Sequence, residues 1–288
     1  MTARPVVHVE RDLPPELTSA IEELGLHVQV NGWPAPQPAG KIIVVVSPKG
    51  GSGKTAVTAN LAVALARRHP GQVVAVDLDV QFGDLSTALA LRPERTLAQL
   101  VQANELDATT AKLFLTPYGD LFVLAAAENP ADADVVTHGH ITTVLPLLAQ
   151  EFRYVLVDTS AGLDERTLSA IECASDLLLV SSLDVTSIKT LRKALDALDT
   201  IGVKATRNFV LNRADAKVGL DPSDAADAVG LKPVAMIPSS RVVPTSLNMG
   251  TPVVLSDPKS AVAKQLEQLS YLLAPAVDND KAKRGWRR

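Results

Sequence analysis

Gly50, Gly51 and Gly53 bracket Ser52 and run directly into Lys54 and Thr55, an order of residue types suited to holding phosphate. Glycine lacks the Cβ that blocks unusual dihedrals, so such a backbone can turn tightly and approach an anion. The loop amides from Gly51 to Thr55, with the positive end of a following helix, would cradle phosphate oxygens. Lys54 would reach the outer phosphates and the Thr55 hydroxyl would bind Mg2+. The competing reading is a glycine-rich turn without a ligand. Against it, an apolar strand, the loop and a helical stretch follow one another in the order that a phosphate site requires.

Two further segments end in acids. Val76-Asp77-Leu78-Asp79 closes one apolar run and Tyr154-Val155-Leu156-Val157-Asp158 another. Paired carboxylates beside a polyphosphate are costly unless a metal or a water mediates. Asp77 and Asp79 could instead cap the next helix, a role that Asp84 or Ser86 could fill equally well; for Asp77 both readings stay open.

Elements must bring these residues together. From Lys41 on, apolar runs of about five residues alternate with longer amphipathic stretches, the pattern of βα units. The runs are 42–47, 73–77, 121–126, 154–158, 177–181, 209–212 and 234–237, and most are continuous in apolar character. A strand covered on both faces needs apolar residues on both sides, so continuity predicts a central parallel sheet. Helical spacing covers 55–68, 136–150, 187–198 and 261–273. The expected fold class is α/β, a mainly parallel twisted sheet with helices on both faces. Ahead of it, residues 1–39 read as a short βαβ-like extension, with strands at 6–9 and 26–30, a helix at 15–24 and a Pro-rich linker at 33–40. Residues 40–275 form the main domain and 276–288 a basic tail.

The wording of the loop carries a resemblance. Lys49-Gly50-Gly51-Ser52-Gly53-Lys54-Thr55, with a second lysine at Lys49, resembles the deviant Walker A motif of ParA/MinD-class P-loop NTPases, and Asn60-Leu61-Ala62 matches that family's continuation. The resemblance implies a P-loop NTPase fold, ATP and Mg2+ as cofactors, and an ATP-dependent homodimer in which Lys49 reaches the partner's nucleotide. A solvated loop lysine is the plainer reading of Lys49. It further implies that Asp79 orients the attacking water near Mg2+, that Asp158 is the Walker B acid and holds Mg2+ through Thr55 or a water, and that Asn212 hydrogen-bonds adenine. Arg213 and Pro238 would belong to the loops around the base, and a turn or capping role is the alternative for Asn212. The sequence departs from the family at Ala56, where a second hydroxyl is usual, and at Ser160, where proline is frequent.

The segment 78–91 and the segment 237–255 resemble most the CpaE/TadZ branch, which implies pilus assembly or polar localisation. A MinD-like septum regulator and a ParA-like partition ATPase are the alternatives, and a non-hydrolysing ATP-dependent dimeric scaffold is the alternative of another class. A regulatory or cargo protein is the expected partner.

Composition sets outer limits. The chain has 288 residues, 47% apolar but only 3% aromatic, which leaves too few rings for a stacking platform on single-stranded nucleic acid. Its one cysteine, Cys173, excludes an internal disulfide and a bridging iron-sulfur site. A reducing cytoplasm fits that cysteine usage, with peripheral attachment at a membrane or cell pole as a further expectation. Lys281, Lys283, Arg284, Arg287 and Arg288 place +5 on the tail of a chain whose net charge is -4. That tail reads as a solvated, disordered end whose cations would also suit weak contact with anionic membrane or DNA. A DNA-binding face on the folded part would have to draw on Arg192, Lys193, Arg207 and Arg213.

Overall fold

The computed structural model describes residues 6–9, 27–30, 40–127 and 129–275. The helix expected at 15–24, most of the linker and the basic tail lie outside the described residues. Contacts divide the chain into two units, Met1–Ala39 and Gly40–Arg288. In the first, β1 (Val6–Val9) pairs parallel with β2 (His27–Val30), Val6 opposite His27.

The second unit is built on β3 (Lys41–Ser47), β4 (Val73–Asp77), β5 (Thr116–Tyr118), β6 (Leu121–Leu124), β7 (Tyr154–Ala161), β8 (Asp176–Ser182), β9 (Thr206–Asn212) and β10 (Pro233–Ile237). They form one sheet in the order β10-β9-β8-β3-β7-β4-β6-β5, and only the β5–β6 pair is antiparallel. The helices of eight residues or more are α1 (Lys54–Arg68), α2 (His138–Glu151), α3 (Glu165–Cys173), α4 (Val185–Thr200), α5 (Pro222–Val229) and α6 (Ala261–Leu273).

The continuous apolar runs have the expected cause. Along β3, Ile42, Val44 and Val46 join one buried cluster, with Val144 of α2, Ile171 of α3 and Leu191 of α4. Ile43 and Val45 join the other, with Leu61 and Leu65 of α1 and Leu266 of α6. Alternate side chains leave opposite faces of a strand, so each face of β3 has its own helical cover and neither tolerates a polar residue. The expected parallel α/β sheet with helices on both faces is observed.

Three elements escape the sequence pattern. β5 is three residues long and contains Pro117, which is accommodated because the strand lies at the sheet edge. α3 and α5 are short and are specified chiefly by their starts. Asp164 accepts a hydrogen bond from Thr167 N at 2.8 Å, and a capping box at Asp221 with Pro222 opens α5. β7 also runs past Asp158 to Ala161.

The order of strands fixes where a ligand can sit. β3 lies between β7 and β8, so the chain winds away from it in both directions. The crevice beyond the carboxyl ends at such a switch point is where open α/β sheets bind ligands.

Candidate functional site

At that crevice β3 gives way to the glycine loop, and α1 starts at Lys54. Its N-cap residue is Gly53, at φ 94° with no side-chain cap, so the first amides of α1 are left for another acceptor. Two constraints make Gly53 a glycine: the left-handed backbone, and a Cβ that would lie 2.4 Å from Asn212 Nδ2. Gly51 is also left-handed, at φ 73°.

Lys54 is buried, 8% exposed, and among the described residues it has neither an ion pair nor a side-chain hydrogen bond. Burial lowers its pKa, while the Asp158 and Asp79 carboxylates act to keep it charged. A largely buried lysine whose ammonium faces the cavity without a fixed partner is costly, and an anion in front of α1 would relieve that cost.

Asp158 lies on β7 opposite Asp77 on β4. Its Oδ1 accepts a hydrogen bond from Thr58 Oγ1 at 3.0 Å, and its Oδ2 is buried without a hydrogen-bond partner. Burial pushes its pKa up to about 6. The Thr55 and Thr58 hydroxyls and the Lys54 ammonium pull the other way, and the Asp79 carboxylate adds to the rise. Asp79 is half-buried. Burial raises its pKa, opposed by the Phe82 amide and by Lys54.

Asp77 resolves its two readings. Its Oδ2 accepts from Leu85 N at 3.0 Å and its Oδ1 from Asp79 N at 3.2 Å. A Cβ on Gly83 would lie 2.5 Å from Oδ2. Asp77 therefore ties both ends of the 79–85 loop, and it caps the short helix Leu85–Ala88. Asp84 stands at the N-cap position but makes no side-chain bond there, which corrects the expectation that Asp84 or Ser86 could serve equally. Burial, then the neighbouring Asp158 carboxylate, raises the Asp77 pKa well above the usual carboxylate range.

Lys49 is partnered within its own chain. Its Nζ lies 3.1 Å from Asp184 Oδ1, and Asp184 also accepts from Ser187 N to cap α4. Ser160, at the position where proline was expected, donates to Asp164 Oδ2 at 2.8 Å, and Gly162 follows at φ 100°. The hydroxyl thus ties the end of β7 to the start of α3.

Asn212 ends β9 and donates from Nδ2 to Ser52 O at 2.7 Å, while its Oδ1 accepts from Arg213 N at 3.0 Å. Its amide therefore braces the glycine loop, a contact spanning 160 residues that sequence reasoning missed. Arg213 is exposed in a left-handed conformation, φ 54°. Ala214 N donates to Ile237 O and Ser239 N to Asp215 Oδ1, so the segments after β9 and β10 are joined around Pro238.

The glycine loop, Asp79 and the segments after β9 and β10 line one cavity of about 880 Å³, with Asp77 and Asp158 buried behind its lining. Gly50, Gly51, Gly53, Lys54, Thr55 and Ala56 form its floor, with Asp79 on one side and Asn212, Arg213 and Pro238 on the other. Ser52 is buried behind the loop with an unpartnered hydroxyl. Among the described residues no three His, Cys, Asp or Glu converge as a ready-made metal cage. The oxygens of Thr55, Asp79 and Asp158 fit a small hard cation that keeps waters and phosphate oxygens as its remaining ligands.

Comparison with known proteins agrees with this geometry. Residues 40–211 match a family model described as an AAA domain. The septum site-determining protein MinD of Thermotoga maritima is 27% identical over 238 residues, covering 80% of this chain and 87% of that protein. Among solved structures, the cell division ATPase MinD of Pyrococcus furiosus is 31% identical with a TM-score of 0.71, over 80% of this chain and 97% of that one. The septum site-determining protein MinD complexed with Mg-ADP, from Pyrococcus horikoshii, is 26% identical with a TM-score of 0.73, over 82% and 96% of the two chains.

Proposed function

Because this chain belongs to the ParA/MinD class of P-loop ATPases, a family of ATP-hydrolysing enzymes, we propose that it is a Mg2+-dependent switch. ATP holds two copies together, and hydrolysis releases them to position cellular machinery. The observation that carries this reading is Lys54. A largely buried lysine whose ammonium has no fixed partner, at an uncapped helix start and near two carboxylates, is the arrangement a polyphosphate with its cation would complete.

The roles follow from position. The amides of Gly50 to Ala56 and the Lys54 ammonium bind and orient the phosphates. Thr55, Asp158 and Asp79 hold the cation, which when bound would neutralise charge on the transferring phosphoryl group. Asp79, on a loop fixed by Asp77, orients the attacking water. Lys49 exchanges its Asp184 partner for the nucleotide of the other copy. Asn212 keeps the glycine loop in shape beside the base, and Arg213 and Pro238 bound the base on its outer side. Phe82, 73% exposed on the loop after Asp79, supplies apolar surface at the rim that a second copy would cover.

For the cellular role, the relatives favour a MinD-like or ParA-like regulator of division or partition. The pilus-assembly reading rests on the wording of 78–91 and 237–255. A DNA-binding face would draw on Arg192, Lys193, Arg207 and Arg213, of which Arg192 pairs with Asp196 and Arg207 with Asp199. Among the described residues no helix is long and apolar enough to cross a membrane, and the cations of the tail would suit weak contact with an anionic surface. A regulatory or cargo protein would set the timing.

Steady-state ATPase rates of the wild type and Asp79→Ala, with and without anionic vesicles or DNA, test this reading. Loss of water orientation should cost roughly 100-fold or more. Equal rates in the two proteins would sink the role of Asp79, and stimulation by one surface alone would identify that surface.

A further inference from the structure

Thr58 lies one turn into α1, wholly buried at 0% exposure. Its Oγ1 is 3.0 Å from Lys54 O and 3.0 Å from Asp158 Oδ1. A hydroxyl has one hydrogen to give. The backbone carbonyl is the habitual acceptor of a helical threonine, whereas an ionised carboxylate makes the stronger, charge-assisted bond. Thr58 holds Asp158 Oδ1 at hydrogen-bond distance, and the Thr55 hydroxyl is a second donor near the same carboxylate. The other oxygen, Oδ2, is left buried and unpartnered.

We propose that Thr58 is a positioning residue for the metal-holding carboxylate, fixing Asp158 through Oδ1 so that Oδ2 stays available to a divalent cation. The inference rests on the Mg2+ reading above. The hydroxyl touches neither phosphate nor cation and acts only through Asp158. Without it, Oδ1 of this buried carboxylate would lose its bond to α1, and the side chain could turn about its last bond toward the remaining donor at Thr55. A role confined to α1 would need only the bond to Lys54 O and would not depend on the cation.

The test is binding of a fluorescent N-methylanthraniloyl ATP to the full chain, in EDTA and across a Mg2+ titration, for wild type, Thr58→Val and Thr58→Ser. Thr58→Val should bind within about twofold of wild type in EDTA yet need roughly tenfold more Mg2+ for half-maximal tightening, about the worth of one charge-assisted hydrogen bond. Thr58→Ser, which keeps the hydroxyl, should follow wild type. Should Thr58→Val not fold, Thr58→Ala, built on the best helix former, undergoes the same titration with the same expectation. A Mg2+ dependence unchanged from wild type, or an equal loss in EDTA and in Mg2+, overturns the inference and leaves the Mg2+ reading standing. A wild type indifferent to Mg2+ overturns both.

Discussion

Asp158 is a costly residue for the folded chain. Its folded pKa, about 6, lies above the ordinary carboxylate value of 3.8, so between those limits the folded state binds more protons than the unfolded state. Stability therefore falls as pH rises through that window, and the cost is complete above it. Replacing the charge by an amide removes the cost. Asp158→Asn should raise the stability of the nucleotide-free chain by roughly 1–3 kcal/mol at pH 7.5, the cost of keeping one buried, partly compensated carboxylate ionised. Below pH 4 the two proteins should converge. Thermal melting at both pH values checks this, and an Asn variant that is less stable at pH 7.5 would contradict it. The same variant should lose its response to Mg2+, the pattern expected where stability has been yielded to function.

At the scale of elements, the glycine loop is held from two directions, by β3 before it and by Asn212 of β9 beside it. Gly53→Ala would meet both a left-handed backbone and the Asn212 amide. The strain alone is worth about 1–2 kcal/mol, and either the loop or the Asn212 amide must also shift, which breaks the bond to Ser52 O. Nucleotide affinity should fall by at least about tenfold while far-UV circular dichroism stays that of the wild type. Unchanged affinity would show that the Asn212 contact does not set the loop.

What could be read from the sequence divides along a physical line. β3, β4 and β7 are legible because burial on both faces writes itself as an unbroken apolar run. The glycine loop is legible because its backbone admits few residue types. β5 is not, since three edge residues with a proline carry no period. Asn212 is visible as a residue, but its hold on Ser52 depends on strand order. Thr58 looks like any helical threonine until β7 brings Asp158 against it. Asp184 carries no mark of its pairing with Lys49, because that pair joins a loop to the start of a distant helix.

At the scale of the whole molecule, several features have unfinished contacts on one side of the sheet. The cavity opens at the carboxyl ends of the strands, Phe82 stands out beside it, and Lys49 is held by a pair whose side chains are both more than a third exposed. Such an exposed ion pair is worth little and is readily exchanged. A second copy bringing a nucleotide would offer Lys49 a denser negative charge than one carboxylate and would cover Phe82. Sedimentation velocity of the wild type, Asp79→Ala and Lys49→Ala, each with Mg-ATP and with Mg-ADP, tests this most directly. Asp79→Ala with Mg-ATP should sediment as a lasting dimer, the wild type should return to monomer as ATP is consumed, and Lys49→Ala should stay monomeric throughout. A single mass for all three proteins, whatever the nucleotide, would contradict the account of a nucleotide-switched dimer.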